Sequence, residues 1–244
     1  MTVRLLDPVL VDRIAAGEVI ERPAAAVKEL VENALDAGAR HIRIMVEAGG
    51  RTLIRVIDDG AGMTPADLAL AVERHATSKL PEGDLERIRT LGFRGEALPS
   101  IGAVARLAIT TRTADAPEAS MLVVEAGAKG HLRPVAGSPG TKIEVSELFA
   151  YTPARLKFLK SDRAEALAVA ETVRRLALSH PQVRFSLEGD GFSPFDLPVE
   201  ASDDEALLRR LARIVGNDLP ENALAPSRAV LRECFERRYA ADRF

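Results

Sequence analysis

The stretch "KELVENALDAGA", residues 28–39, combines the period of an α-helix with an unusual polar face. Apolar side chains at helical spacing predict one buried stripe, formed by Val27, Leu30, Val31, Ala34 and Leu35. The opposite side carries four polar residues, Glu29, Glu32, Asn33 and Asp36. Like charges three or four residues apart weaken a helix, and this stripe shows no compensating base. We therefore expect the acidic face to do more than meet solvent, although a solvated face is the ordinary alternative.

The sequence on either side of this helix predicts an α+β protein. The helix itself is predicted over 23–37, with Pro23 in its first turn and Gly38 as its end. Further predicted elements are strands at 41–47, 52–58, 105–113, 120–126, 131–136 and 141–147, a helix capped by Thr64 and Asp67, a helix entered through 91–102, a helix at 162–180, a hairpin at 183–192, a helix from Ser202 and Glu205 to Gly216, and a helical tail at 226–244. Strands and helices mix without strict alternation, which is typical of an α+β fold with a mixed or antiparallel sheet.

Composition places the chain among soluble globular proteins. Of its 244 residues, 47% are hydrophobic and 28% are charged, and no apolar run is long enough to cross a bilayer. The N-terminus lacks the pattern of a signal peptide. Cys234 is the only cysteine, which excludes an internal disulfide and fits a reducing cytoplasm. The net charge of −3 argues against coating nucleic acid by bulk charge and leaves room for a local basic groove.

The polar face of the helix at 23–37 offers ligands for magnesium. Mg²⁺ prefers a few oxygen ligands together with phosphates, and Asn33 can supply one neutral oxygen. Glu29 lies one turn away on the same face, about 6 Å from Asn33. At that position a carboxylate can hold a water molecule beside a bound phosphate, as a general base must.

A second motif, "DDGAG" at 58–62, follows a strand whose Ile54 and Val56 share one face. Alternation puts Asp58 on that same buried face, at the end of the strand. A buried carboxylate needs a fixed partner, and the exocyclic amine of a purine is one candidate. Gly60 and Gly62 would let the backbone approach a flat ring closely. The alternative is a simple Asp-Gly turn.

Two further motifs suggest phosphate contacts. "LGFRGEALPSIG" at 91–102 brings two glycines to a helix start, where free amides bind phosphate, and "HATSK" upstream adds hydroxyl and ammonium groups. The P-loop spacing is absent, so this is not a Walker-type site. "PGTKIEV" places Thr141 at the start of a strand and indicates little by itself.

Together and in this order, the motifs resemble the N-terminal ATPase region of MutL-type DNA mismatch-repair proteins. That family belongs to a wider group with gyrase-type topoisomerases, Hsp90-type chaperones and histidine kinases. The resembling stretches are "IAAGEVIERPAAAVKELVENALDAGA" (14–39), "RHATSK" (74–79), "LGFRGEAL" (91–98) and "YTPARLKFL" (151–159). "IAAGEV" and "GFRGEAL" narrow the resemblance from the wider group to the MutL type. It is strong over about residues 3–190.

The resemblance implies a two-layer α/β sandwich of the gyrase/Hsp90/MutL ATPase type that binds ATP and Mg²⁺. It implies that Glu29 is the base that activates the hydrolytic water, Asn33 the magnesium ligand and Asp58 the residue that binds adenine. Gly60 and Gly62 would shape the adenine pocket, and Thr141 would lie near it. A lid and phosphate-binding loop would comprise Thr77, Ser78, Lys79, Gly92, Phe93, Arg94, Gly95, Glu96, Ala97 and Leu98.

The resemblance also implies a role. Residues 1–200 would form the ATP-binding domain and 201–244 an incomplete, truncated second domain of the ribosomal-S5-like type, with 192–202 as a linker. The protein would be a cytoplasmic switch of mismatch repair, with no membrane contact. ATP binding would drive homodimerisation and control contacts with the mismatch-recognition protein MutS, a downstream nuclease or helicase, and DNA, the last weakly and non-specifically. "IAAGEV" would be the N-terminal strap that becomes ordered on dimerisation.

The sequence departs from the family pattern in its last part. Neither a "VNGR"-like nor an "HPxK"-like stretch occurs, and no lysine follows Lys160. We therefore expect ATP binding with slow hydrolysis. Two alternatives stay open: a nucleotide-binding interaction module without turnover, and another ATPase of the wider group, such as a chaperone or topoisomerase subunit. The basic segment 153–163 is either a phosphate-contacting patch or a solvated surface.

Overall fold

The computed structural model describes residues 8–77, 95–201 and 205–216, with side chains from residue 14 onward. The helices are α1 (Pro8–Val19), α2 (Pro23–Asp36), α3 (Pro65–Ala71), α4 (Ala97–Val104), α5 (Pro153–Leu156), α6 (Asp162–Ser179) and α7 (Ala206–Val215). The strands are β1 (His41–Glu47), β2 (Leu53–Asp58), β3 (Arg106–Arg112), β4 (Ala119–Glu125), β5 (Ala128–Lys129), β6 (Arg133–Val135), β7 (Gly140–Ser146), β8 (Arg184–Gly189) and β9 (Phe195–Leu197).

All of these strands join one mixed sheet. Its order is β5-β4-β3-β7-β2-β1-β8-β9, and β6 pairs with β4. Every pairing is antiparallel except that of β1 with β8, and the long helix α6 directly precedes β8 in the chain. The predicted α+β class with a mixed sheet is therefore confirmed.

The helices cover one face of the sheet and make the second layer. Along β2, Ile54 and Val56 point toward the helices and are fully buried, while the alternate residues are half-buried. Helix α2 contributes Val27, Leu30 and Val31 to the same core. Helix α6 packs against α2 and β8, and α4 packs against β3 and β4. The result is the predicted two-layer sandwich. None of the helices in the described ranges is long and apolar enough to cross a membrane.

The N-terminal helix α1 packs against α4. Ala16 and Ile20 are fully buried. The guanidinium of Arg155 lies directly over Gly17, where a Cβ atom would come within 2.5 Å of Arg155 Nε. A residue larger than glycine at position 17 would therefore displace Arg155.

The predicted linker at 192–202 is wrong in part. Residues 195–197 form β9, an edge strand that pairs with β8 through Phe185–Leu197 and Leu187–Phe195. The strand is short and lies between Pro194 and Pro198, which hide its pattern. Helix α7 starts at Ala206, and Glu205 at its N-cap makes no side-chain capping bond. Ser202 and the predicted tail helix at 226–244 lie outside the described residues.

Candidate functional site

Three polar side chains form a row across the middle of the sheet, on the face that carries the helices. In the register of the sheet, Thr141 on β7 lies between Asp58 on β2 and Thr111 on β3. All three are nearly buried, at 9%, 9% and 1% exposure. Residues in one cross-strand row point to the same face, so these oxygens are neighbours. The row places acceptor atoms at the end of an otherwise apolar surface.

Asp58 is held as a buried acceptor. Its Oδ1 accepts a hydrogen bond of 2.9 Å from the backbone N–H of Gly60. Burial raises the pKa of the Asp58 carboxyl above its usual range, and hydrogen bonds from the amides of Gly60 and Thr141 act in the opposite direction. The prediction of a buried carboxylate at the strand end, with a fixed partner, agrees with this geometry.

The turn after Asp58 packs against the end of α2. The N–H of Ala61 donates to the carbonyl of Ala37 at 2.9 Å, and a Cβ atom on Gly60 would lie 2.9 Å from that same carbonyl. Gly62 has φ +68°, and a Cβ there would collide with the carbonyl of Arg112. Both glycines are required by close backbone approach. The turn is thereby fixed between α2 and β3.

The polar face of α2 extends from this turn toward the N-terminal end of the helix. Glu29, Asn33 and Ala37 follow at intervals of four residues and so lie on one side of the helix. Glu29 and Asn33 are both half-buried. Ala37 contacts the turn, Asn33 lies one turn back and Glu29 two turns back, about 12 Å along the axis from Ala37. An elongated ligand anchored at Asp58 could follow this face.

The prediction that the acidic stripe of α2 lacks a compensating base is wrong, because Glu32 has one. Lys28 Nζ lies 3.4 Å from Glu32 Oε1, four residues apart on α2. Glu32 is 8% exposed, and burial raises the pKa of its carboxyl while Lys28 acts in the opposite direction. Glu32 is therefore a buried carboxylate paired with Lys28, whose side chain is half exposed. Asp36 is half-buried, and nothing in the structure gives it a ligand-binding role.

The ends of the expected lid segment lie together. Gly95 has φ +62°, and a Cβ on it would collide with the carbonyl of Ala76. His75 Nδ1 lies 3.5 Å from Glu96 Oε1. Thr77, Gly95, Glu96, Ala97 and Leu98 therefore gather where α4 begins. The remaining predicted lid residues, Ser78, Lys79, Gly92, Phe93 and Arg94, lie outside the described residues.

Asn33 is the candidate metal ligand on this face, and its amide oxygen is a neutral oxygen ligand of the kind that Mg²⁺ accepts. Among the described residues, no group of three or more His, Cys, Asp or Glu side chains could hold a metal ion.

Comparison with known proteins identifies the family of the chain. Residues 20–150 match the family described as histidine kinase-, DNA gyrase B-, and HSP90-like ATPase, which is more than half of the chain. The chain belongs to this family of ATPases. Within it, the chain is 59% identical over 224 residues to the DNA mismatch repair protein MutL of Beijerinckia indica. It is 57% identical over 226 residues to MutL of Paramagnetospirillum magneticum.

Both alignments cover 92% of this chain, and the chain spans 35% and 37% of the length of these relatives. Among solved structures, the Aquifex aeolicus MutL ATPase domain complexed with ADP is similar, with a TM-score of 0.64 and 33% identity. That similarity covers 80% of this chain and 69% of the other. The resemblance stated from the motifs is confirmed, and the fold is that of the MutL-type members of this ATPase family.

Two polar residues that hold the surroundings of this candidate site in place were missed by the sequence analysis. The first is Thr111, whose hydroxyl makes hydrogen bonds to Met63, Gly140 and Thr141. The second is Asp59, whose Oδ1 accepts hydrogen bonds from the backbone N–H groups of Arg40 at 2.7 Å and His41 at 2.8 Å. Thr111 looks like any threonine in a strand until the register is known. Asp59 follows Asp58 directly and looks like part of the same turn. The two bonds that it accepts tie this turn to the start of β1.

Proposed function

We propose that the chain is a magnesium-dependent, ATP-binding and ATP-hydrolysing switch of DNA mismatch repair. The observation that carries this proposal is the order of groups along α2, from Asp58 and the turn at Ala37 to Asn33 and then Glu29. A base bound at Asp58 would direct its phosphates along this face. The similarity to MutL proteins supports the assignment to mismatch repair.

Each group on this path has a distinct task in the proposal. Asp58 accepts a hydrogen bond from the exocyclic amine of adenine, Gly60 and Gly62 admit the ring, and Thr141 lies beside it. Asn33 contributes an oxygen to Mg²⁺, which when bound neutralises charge on the phosphates. Glu29 holds and deprotonates the attacking water. Such a site depends mainly on positioning and on stabilising the charge of the γ-phosphate.

The lid closes the phosphate end in this proposal. Thr77 and the start of α4 at Gly95–Leu98 lie side by side, and amides at a helix start attract phosphate. Ser78, Lys79, Gly92, Phe93 and Arg94 complete the same loop by resemblance.

Calorimetry with Mg-ATP tests the site. Asp58→Asn puts an amide donor where the adenine amine would donate, so affinity should fall about 10–100-fold. Asp59→Asn is the matched control, because it keeps the acceptor that binds the amides of Arg40 and His41. Equal affinity in the parent chain and in the Asp58→Asn variant would rule out this adenine site.

Phosphate release separates the proposal from a nucleotide-binding module without turnover. Single-turnover release from bound Mg-ATP should be slow but measurable in the parent chain, and absent in Glu29→Ala. If the parent chain binds ATP and releases no phosphate at all, the module is the better description. The relatives at 57–59% identity give no support to a chaperone or topoisomerase subunit.

We propose further that ATP binding drives homodimerisation through the strap, whose residues 14–19 end helix α1. This helix packs on α4, which begins at the lid, so a ligand that moves the lid can move α1. Light scattering during a Mg-ATP titration should show the mass doubling as the site saturates. A monomer at saturation would contradict this part of the proposal.

DNA contact is assigned to the basic segment, Arg155, Lys157, Lys160 and Arg163. Phe158 in its middle is 86% exposed, and an exposed aromatic ring among cations favours stacking on bases beside phosphate contacts. Lys157→Glu should weaken binding to single-stranded DNA and lower the salt slope by about 1 or more. Arg133→Glu, on the exposed strand β6, is the matched control. The same loss in both variants would place the contact elsewhere.

The similarity to MutL proteins supports a proposal on the cellular context. We propose a cytoplasmic protein that responds to the mismatch-recognition protein MutS and signals to a repair nuclease or helicase. Pull-down of MutS by the parent chain with and without Mg-ATP checks the first contact. The expected result is capture that depends on nucleotide and is lost in the Asp58→Asn variant.

A further inference from the structure

A groove on the surface of the helix layer lies apart from the candidate nucleotide site. It runs between α6 and the junction of α1 with α2, and its volume is about 420 Å³. Its apolar lining consists of short side chains, those of Val19, Ala24, Ala25 and Ala168. None of the described residues assigned to nucleotide, Mg²⁺ or water lines it. A groove of this size can take several side chains of a ligand.

The walls of the groove indicate that its ligand is helical. The lining residues belong to α1, α2 and α6 and to the connection between the first two helices. An extended peptide would find no strand edge there, so its N–H and C=O groups would lose water without gaining partners. A helix bonds these groups internally, and the alanines of the lining let its axis come close. The ligand that fits this groove is therefore a helix.

Two large apolar side chains extend the apolar surface on opposite walls of the groove. Ile14 on α1 is 51% exposed and lies one helical turn before Glu18, and Leu167 on α6 is 47% exposed and lies one helical turn before Glu171. Since Glu18 and Glu171 both line the groove, each apolar residue lies on the side of its helix that faces it. Large apolar side chains grouped beside a groove are typical of a protein contact surface. The ligand helix therefore needs an apolar face.

The free charge at the rim of the groove is negative, because the bases are already paired. Each of the three lining bases is held by an acid of the same chain: Arg22 by Glu165 at 2.9 Å, Lys28 by Glu32 at 3.4 Å and Arg175 by Glu171 at 2.9 Å. Glu18 and Glu21 also line the groove and are exposed, and neither pairs with another side chain in the described part of the chain. Opposite charges across an interface accelerate association and fix its register. The charge that complements this rim is positive.

We propose that the groove is a docking site for a cationic amphipathic helix of another protein. The apolar face of that helix lies on the alanines, between Ile14 and Leu167, and its lysine or arginine side chains pair with Glu18 and Glu21. This is the helix-in-groove mode of recognition. The inference goes beyond the nucleotide site and does not depend on it, so it can be tested without nucleotide.

A synthetic peptide of leucine, alanine and lysine tests the charge of the groove. The probe has about 14 residues, blocked ends and leucines at helical spacing, and carries a fluorescent label for anisotropy. The parent chain should bind it saturably, and the double variant Glu18→Gln/Glu21→Gln should bind it about tenfold or more weakly. Glu47→Gln/Glu188→Gln is the matched control, because it removes two exposed carboxylates from β1 and β8, and it should keep the parental affinity.

Ala25→Leu tests the shape of the groove without changing its charge. Ala25 is half-buried in the lining, so a leucine there occupies the space meant for the ligand. Affinity for the probe should fall about tenfold or more. Thermal unfolding checks that the variant is folded, and the charge variant keeps the test valid if it is not. Parental affinity in Glu18→Gln/Glu21→Gln or in a folded Ala25→Leu overturns the proposal.

A second peptide, with serine in place of each leucine, keeps the charge and loses the apolar face. It should bind the parent chain at least about tenfold more weakly than the first peptide. Equal binding of the two peptides would show simple charge attraction and overturn the docking site. Light scattering without nucleotide examines the other occupant, a second copy of this chain. A parent chain that self-associates and becomes monomeric in Glu18→Gln/Glu21→Gln would assign the groove to that copy and overturn the proposal.

Discussion

The Asp58 carboxylate lies at the buried end of β2, with 9% exposure, where desolvation disfavours its charge. The group proposed to bind a base is therefore one that opposes folding when it is ionised. Such residues are common in binding sites, because a carboxylate that is partly desolvated discriminates strongly between ligands. At the scale of single residues, the site is a compromise between affinity and stability.

Asp58→Asn should therefore raise the melting temperature at pH 7–8 while it weakens ATP binding. Burial raises the pKa of Asp58, so the folded state binds this proton more tightly than the unfolded state does. The stability associated with Asp58 is complete at low pH and is lost as pH rises through the raised pKa. The difference in melting temperature between the variant and the parent should disappear as the pH falls toward 4. A difference that grows on acidification would contradict this account.

Glu29 and Asn33 should separate in a binding experiment. Glu29 is proposed to touch water, so Glu29→Ala should bind Mg-ATP within about threefold of the parent and release no phosphate. Asn33 is proposed to touch the ion, so Asn33→Ala should bind Mg-ATP about tenfold or more weakly, the loss of a charge-assisted contact. The affinity of Asn33→Ala for ATP without magnesium should match that of the parent. Equal losses in both variants would show that the division of tasks along α2 is wrong.

The residues found from the sequence are those whose surroundings are local. Asp58, Gly60 and Gly62 follow one strand, and Asn33 and Glu29 share one helix face, so spacing alone brings them together. Thr111 belongs to the site only because β7 lies between β3 and β2, a pairing that no local pattern fixes. The pairing of Lys28 with Glu32 lies at i,i+4 and could have been found by applying the same spacing rule to the base.

At the scale of elements, α2 shows why some boundaries are predictable. Pro23 occupies its first turn, and Gly38, just beyond its last residue, has φ +76°, a value that L-residues adopt rarely. Its observed end at Asp36 lies one residue from the predicted one. Strand β9 has no such signals, since three residues cannot display a period and its pairing with β8 is a tertiary event. Local chemistry therefore predicts helix ends better than short edge strands.

Arg22 should contribute more to stability than its exposed position suggests. It precedes α2, and its Nε and Nη2 donate to the buried Glu165 Oε2 of α6 at 3.0 and 2.9 Å. Among the described residues, Arg22→Met leaves that carboxylate with only the backbone N–H of Lys160 as a donor. A loss of about 2 kcal/mol is expected, reduced from the value for fully buried pairs because Arg22 is partly exposed. Thermal unfolding should shift by roughly 4–8 °C.

Arg51→Met is the control for this effect. Arg51 Nη2 lies 3.0 Å from Oδ2 of Asp162, the first residue of α6, but both side chains are about half exposed. Such pairs contribute little, so the shift should stay within about 1–2 °C. Adding Glu165→Leu to Arg22→Met should recover part of the stability, because the uncompensated buried charge is then absent. Equal shifts of the melting temperature for Arg22→Met and Arg51→Met would contradict the claim that the buried Glu165 makes its ion pair the stronger one.

At the scale of the whole molecule, the docking of α7 decides how far the first domain extends. The boundary predicted at residue 200 stays a prediction, but the contacts across it are extensive. Arg210 is fully buried, and its Nη2 donates to the carbonyls of Pro181, Val183 and Pro198 at 2.9, 3.0 and 2.7 Å. Glu200, at 6% exposure, accepts from Arg209 and Arg213. Helix α7 therefore closes the end of the sheet at β8 and β9.

Arg210→Met should detach α7 and loosen this end of the sheet. The methionine fills most of the volume but leaves three buried carbonyl oxygens without their donor, at about 1 kcal/mol each. Because the substitution also removes a buried charge, the net loss should be about 2 kcal/mol. Hydrogen exchange is the sharper measurement: amides of 206–215 and of β9 should exchange faster, while those of α2 and β2 keep their protection. Arg213→Met is the matched control, because Arg209 still pairs with Glu200 and the side chain of Arg213 is half exposed. If residues after 200 formed an independent unit, Arg210→Met would leave the hydrogen exchange of the β9 amides unchanged. Faster exchange of these amides in the variant would assign α7 to the first domain.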